Sequence, residues 1–146
     1  MEQFLNLNET RNELSVAGKN GIGFILSGSV IWIIITFIFS LPMGMYEKNI
    51  LMLFATGIMF PLSLLISTII KADWKFSGNP LASLGIYLNL SQVIYFPILI
   101  WAIAKRPEND VMFFAIIVGA HFFPFGWFYN SKPYYIMSPI KNNPYL

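Results

Sequence analysis

Residues 20–46, NGIGFILSGSVIWIIITFIFSLPMGMY, decide the fold. No charged side chain interrupts this run. A helix needs about 20 consecutive apolar residues to cross about 30 Å of hydrocarbon, and the run is longer than that. A helix at the surface of a soluble core would alternate polar and apolar faces; this one does not. Residues 49–70, 76–104 and 111–131 are also free of charge. The reading is an all-α integral membrane bundle of about four transmembrane helices, with spans at about 22–42, 50–70, 83–104 and 111–129.

Composition agrees with lipid as the surrounding solvent. Hydrophobic residues make up 56% of the 146 and charged residues 11%, against about 25% charged in a typical soluble domain. The net charge of +2 and the absence of a basic cluster give no footing for nucleic acid. With no cysteine there is no disulfide framework, thiolate metal site or cysteine nucleophile. No phosphate-binding glycine loop, HExxH or GxSxG occurs. The first apolar run is too long for a signal-peptide core and is preceded by Glu2, Glu9 and Glu13, so it reads as a retained span.

The flanks differ from the spans. Residues 1–21 are expected to form a short amphipathic helix on the membrane surface, with Leu7, Leu14 and nearby Phe4 on one face. Thr10 and Glu13 have capping-box spacing, and Gly18 is placed to end the helix. Residues 130–146 carry Pro133, Pro139 and Pro144 with Tyr134, Tyr135 and Tyr145. They read as a segment along the interface, with the start of a further, truncated span as the alternative. Arg11, Lys19, Lys71, Lys75, Lys132 and Lys141 fall on one side of the four spans, and Lys48, Lys105 and Arg106 on the other. That bias favours both termini in the cytoplasm.

Three blocks carry a resemblance. They are Arg11-Asn-Glu-Leu14, Asn79-Pro-Leu-Ala82, and Gly119-Ala-His121-Phe-Phe-Pro124-Phe-Gly-Trp127-Phe-Tyr129 with Tyr134 or Tyr135 beyond. Together they resemble a family of small bacterial multi-pass membrane proteins of unknown function. The resemblance implies a bacterial cell membrane and a bundle that continues for one or two helices past this chain. It brings no activity, cofactor or catalytic residue.

The candidate site rests on polar residues at depth. His121 sits near the middle of the fourth span, where an unpaired polar group is costly. Pro124 has no N–H to give the Ala120 carbonyl. In the third span Gly85, Asn89 and Gln92 share one helical face, and Tyr87, Ser91 and Tyr95 form a second stripe. The levels of these residues predict a His121–Gln92 or His121–Asn89 contact. Ser63 and Ser67, with Gly57 above them, and Gly23 and Gly28 read as helix-packing seams. Pro61 and Pro97 are placed to kink spans two and three. Glu108 and Asp110 read as solvated loop charges, as does the Asp73-Trp74-Lys75 loop.

The function expected is that of a non-enzymatic membrane protein that binds a partner or self-associates as a homo-oligomer. The alternative is an oligomeric transporter or channel for a small solute or protons, with a polar path at Asn89, Gln92 and His121. Neither reading needs a metal or cofactor. The sequence names no small-molecule ligand; the lipid bilayer is the one partner it specifies.

Overall fold

The computed structural model describes residues 2–138, with side chains from residue 6 onward. Phe4 and the tail residues Pro139, Lys141, Pro144 and Tyr145 therefore lie outside what can be compared with the sequence reading. The described elements are all helical: α1 (Glu2–Ala17), α2 (Ile22–Ser40), α3 (Met45–Gly57), α4 (Met59–Ile69), α5 (Ala82–Ser91), α6 (Phe96–Lys105), α7 (Asp110–Phe128) and α8 (Lys132–Met137).

Four segments are long and apolar enough to cross a membrane: Lys19–Ser40, Met45–Ile69, Ala82–Lys105 and Pro107–Phe128. The second comprises α3 and α4, and the third α5 and α6. Each of these two spans breaks just before a proline. Pro61 cannot donate to the Gly57 carbonyl, and the helix is interrupted at Ile58. Pro97 cannot donate to the Val93 carbonyl, and a 3-10 turn, Gln92–Tyr95, takes up the strain. There the Phe96 N–H bonds Val93 instead. Pro124 behaves differently: α7 runs through it unbroken.

The spans form two antiparallel hairpins. In the first, α2 packs along α4 and the start of α3; in the second, α7 packs along α6 and α5. The inward stripe of α2 is Gly23, Ser27, Ile31, Ile35 and Ile38, all buried at helical spacing. Opposite its small end lie Ser63 and Ser67. A β-carbon on Gly23 would collide with Ser67 Oγ and lie 3.3 Å from the Ser63 carbonyl. Gly23, Ser63 and Ser67 are thus the close-approach seam that their spacing suggested. Gly28 and Gly57 take no part in it: a β-carbon on Gly28 would meet only Met59 Cε at 3.9 Å, and one on Gly57 would meet nothing within 4 Å.

Two apolar cores result. One, at the end where α1 lies, joins Leu14, Phe76, Phe128, Tyr129 and Tyr134. The other, toward the far end, joins Ile31, Ile35, Met52, Leu99 and Phe114.

The N-terminal helix differs from expectation in its start and in the character of its packed face. Thr10 is no cap: α1 starts at Glu2, and the Thr10 hydroxyl donates to the Asn6 carbonyl one turn back at 2.8 Å. The helix does end at Gly18, whose N–H bonds Leu14. Its packed face is mixed in character, with Thr10, Arg11 and Leu14 buried together. A Gly23→Val substitution is expected to destabilise the bundle by about 1–3 kcal/mol through overpacking. Gly28→Ala should leave it within about 0.5 kcal/mol of the parent. Reversible unfolding in detergent micelles, followed by tryptophan emission, checks both.

Candidate functional site

Between the hairpins, where α4 and α5 part, lies a cavity of about 520 Å³. That is within the range of about 300–1,000 Å³ typical of small-ligand sites. It touches members of both cores, with Phe76, Phe128 and Tyr129 at one end and Met59 and Phe96 at the other. Phe24 of α2 also lines it. At its rim Phe60, Ile86, Leu90 and Val93 are exposed, so it opens sideways at the depth of the spans.

Its polar groups gather at the two helix breaks. Thr56 and Gly57 contribute from the first. The Gly57 carbonyl has lost its usual donor to Pro61. Asn89 and Gln92 contribute from the third span. The Asn89 amide nitrogen donates to the Gly85 carbonyl at 2.9 Å, which holds the side chain along its own helix. The Gly85, Asn89, Gln92 face read from the sequence is therefore one cavity wall. Gly85 is needed there for a separate reason: a β-carbon would sit 2.8 Å from Phe128 Cζ.

His121 is placed otherwise. It follows the helical spacing Phe114, Val118, His121, Phe125, Phe128 along the face of α7 whose ends, Phe114 and Phe128, are buried. Its ring meets Phe125 edge-on at 4.8 Å. It does not line the cavity, and no hydrogen bond joins it to Gln92 or Asn89. The structure brings Asn89 and Gln92 together and leaves His121 one turn beyond Phe125. The sequence reading did not anticipate the Phe125 ring packed on it.

The end of the cavity nearest α1 is built by residues that sequence reasoning assigned no role. Helices α4 and α7 both finish there in a Schellman turn, with a left-handed residue after the last turn: Lys71 (φ 56) and Asn130 (φ 49). The Ala72 N–H reaches the Ser67 carbonyl at 2.8 Å, and the Ser131 N–H reaches Gly126 at 3.0 Å. The N-terminal segment then supplies a cation to each helix end. Lys19 Nζ donates to the Ile70 carbonyl at 2.6 Å, and Arg11 Nε donates to the Trp127 carbonyl at 2.6 Å. Both complement the negative end of a helix dipole.

Arg11 does more. Its other nitrogens donate to Asn130 Oδ1 and Asn8 Oδ1, each at 3.1 Å, and its guanidinium lies 4.7 Å from the Trp127 ring centre. Asn79 Nδ2 donates to the Thr10 carbonyl at 3.1 Å, and the Asp73 N–H donates to Ala17 at 2.9 Å. Asp73 Oδ1 accepts from Lys75 and Phe76, so this acid orders its loop. That loop delivers Phe76 against Gly18 and the Phe128 and Tyr129 rings. The three blocks Arg11–Leu14, Asn79–Ala82 and Gly119–Tyr129 thus converge on one end of the bundle.

The tail joins them. Helix α8 folds back on α7, and Tyr134 stacks on Tyr129 and donates to the Asn20 carbonyl at 2.5 Å. Burial, and then the neighbouring Tyr129, hold the Tyr134 phenol above its ordinary range. Its contribution to stability is therefore complete below about pH 10, the unfolded value, and is lost as pH rises toward the folded one. Faster hydrogen exchange in α8 above that pH, reduced in Tyr134→Phe, is the expected observation. Arg11→Ala should cost about 2–3 kcal/mol and release α1 to proteolysis. Arg11→Lys should recover little, since an ammonium cannot reach three acceptors in one plane.

No curated protein and no solved structure matches this chain. The model of a family of unknown function (DUF7010) matches residues 7–142. This span holds all three converging blocks and the whole cavity, and the chain belongs to that family.

Proposed function

We propose that the protein is a non-enzymatic, multi-pass protein of the cell membrane that binds a membrane-soluble small molecule between its two hairpins. The ligand would have an apolar body and a hydrogen-bonding carbonyl or hydroxyl. The observation that carries this reading is the cavity of about 520 Å³, open sideways at the depth of the spans, with Asn89 and Gln92 converging on it. Apolar walls would hold the body of such a molecule, and two amides and the freed Gly57 carbonyl would orient its polar group. Six of the nine Lys and Arg residues lie on the side of the termini, which supports a cytoplasmic placement of both. The transport reading, with a path through Asn89, Gln92 and His121, draws support from the first two sharing the cavity. It draws none from His121, whose ring meets Phe125.

Gly57 supplies the test. It lines the cavity and a side chain there enters open space, so Gly57→Phe should fill the site without disturbing the fold. Trp74 also lines it, which makes a brominated long-chain alcohol a usable probe by heavy-atom quenching. Saturable quenching that disappears in Trp74→Phe is expected. Affinity should fall about tenfold or more in Gly57→Phe while the unfolding midpoint is kept. Quenching that never saturates, or that Gly57→Phe leaves unchanged, would falsify the reading.

A further inference from the structure

Among the described residues, three buried side-chain oxygen atoms have no hydrogen-bond partner: Asn49 Oδ1 and both carboxylate oxygens of Asp110. Both residues are fully enclosed, at 0% exposure. Here the structure corrects the sequence reading: Glu108 is a solvated loop charge, but Asp110 is not. The short 3-10 turn Pro107–Asn109 tucks Asp110 inside as the first residue of α7.

Asn49 and Asp110 both adjoin the Pro107–Asn109 turn at the far end of the bundle. Asn49 lies in the first half of α3, and its Nδ2 donates to the Pro107 carbonyl at 2.7 Å. That carbonyl fixes the amide nitrogen on its side and turns Oδ1 the other way. Asp110 follows Pro107 by three residues across the turn. Among the described residues no cation is paired with it. The ion pair among the described residues is Arg106–Glu108 at 4.0 Å, exposed on both sides. Lys48, next to Asn49, donates instead to the Phe39 carbonyl at 3.0 Å, at the end of α2.

A buried carboxylate is strongly unfavourable unless its charge is met. A water molecule could donate hydrogen bonds but brings no charge. A proton would neutralise Asp110 and reach one further acceptor, leaving the third oxygen unpaired. It would also work against the α7 dipole, which favours the anion at a helix N-terminus. A divalent ion would leave an excess positive charge beside Asp110. The all-oxygen donor set, with one negative charge and no nitrogen or sulfur, suits a hard cation of single charge.

We propose that Asn49 Oδ1 and the Asp110 carboxylate oxygens form a binding site for a monovalent alkali cation, with sodium as its natural test ion. The site is at the opposite end from α1 and joins the two hairpins through α3 and the Pro107 turn. A bound ion would hold that end closed, so sodium should stabilise the fold.

The full chain in micelles tests this, with sodium chloride exchanged for N-methylglucamine chloride at constant ionic strength. The unfolding midpoint should rise progressively over about a hundredfold range of sodium, and radioactive sodium should bind saturably at one ion per chain. Asp110→Asn keeps the side-chain shape and removes the charge; it should fold without sodium and lose both effects. Asn49→Leu should weaken sodium binding by about tenfold. If Asp110→Asn fails to fold, saturable sodium binding by the parent chain, weakened in Asn49→Leu, still decides the matter. No sodium-dependent shift in the parent, a shift that follows pH and ignores sodium, or full sodium binding by Asp110→Asn would each overturn the proposal.

Discussion

A carbonyl oxygen inside a bilayer has no water to turn to, and this constraint shapes the chain at every level. It makes the four spans helical. It draws the span hydroxyls onto their own helices: Ser27 donates to Gly23, Thr36 to Trp32 and Thr68 to Leu64, each one turn back. At the helix ends, where the ladder runs out, it recruits cations. Arg11 serves α7, Lys19 serves α4 and Lys48 serves α2. Two of these three, Arg11 and Lys19, lie in α1 and the turn that follows it, so that end of the chain is tied to the bundle by the bundle's own unmet acceptors.

The prolines put the same constraint to a different use. A missing donor at Pro61 and another at Pro97 break the two spans that face each other across the cavity. A continuous α3–α4 and a continuous α5–α6 would pack as straight rods. Broken, they part, and the two apolar cores remain separate with a space between them. Gly57, whose carbonyl is freed by one of those breaks, lines that space. Fold and candidate site thus have one cause. On this account ligand binding would supply contacts that the helices do not supply to each other.

Much of this was legible in the sequence because it is local. Apolar length gave the spans to within a few residues, and the prolines marked the breaks. The spacing of Gly85, Asn89 and Gln92 identified a wall of the cavity, and Gly23, Ser63 and Ser67 a seam. What was not legible depends on how distant segments meet. Thr10 looks like a cap until a helix begins eight residues earlier. Asp110 looks solvated beside Glu108 until a three-residue turn rotates it inward. Arg11 entered the sequence reading only as a topology charge and part of a family block, and its bond to the Trp127 carbonyl depends on the α7 end arriving beside it. His121 was read as the partner of Gln92 or Asn89, whereas its ring meets Phe125 of its own helix.

The central claim is that the two hairpins part at the proline breaks and leave a space open to lipid. The chain has no cysteine, so a single nitroxide can be placed at Gly57→Cys or Ser63→Cys and its collisions measured in lipid bilayers. At position 57 the account predicts frequent collision with lipid-soluble oxygen and little with a water-soluble nickel complex. At position 63, pressed against α2, it predicts little of either. Equal shielding at both positions, or free access of the nickel complex to position 57, would contradict it.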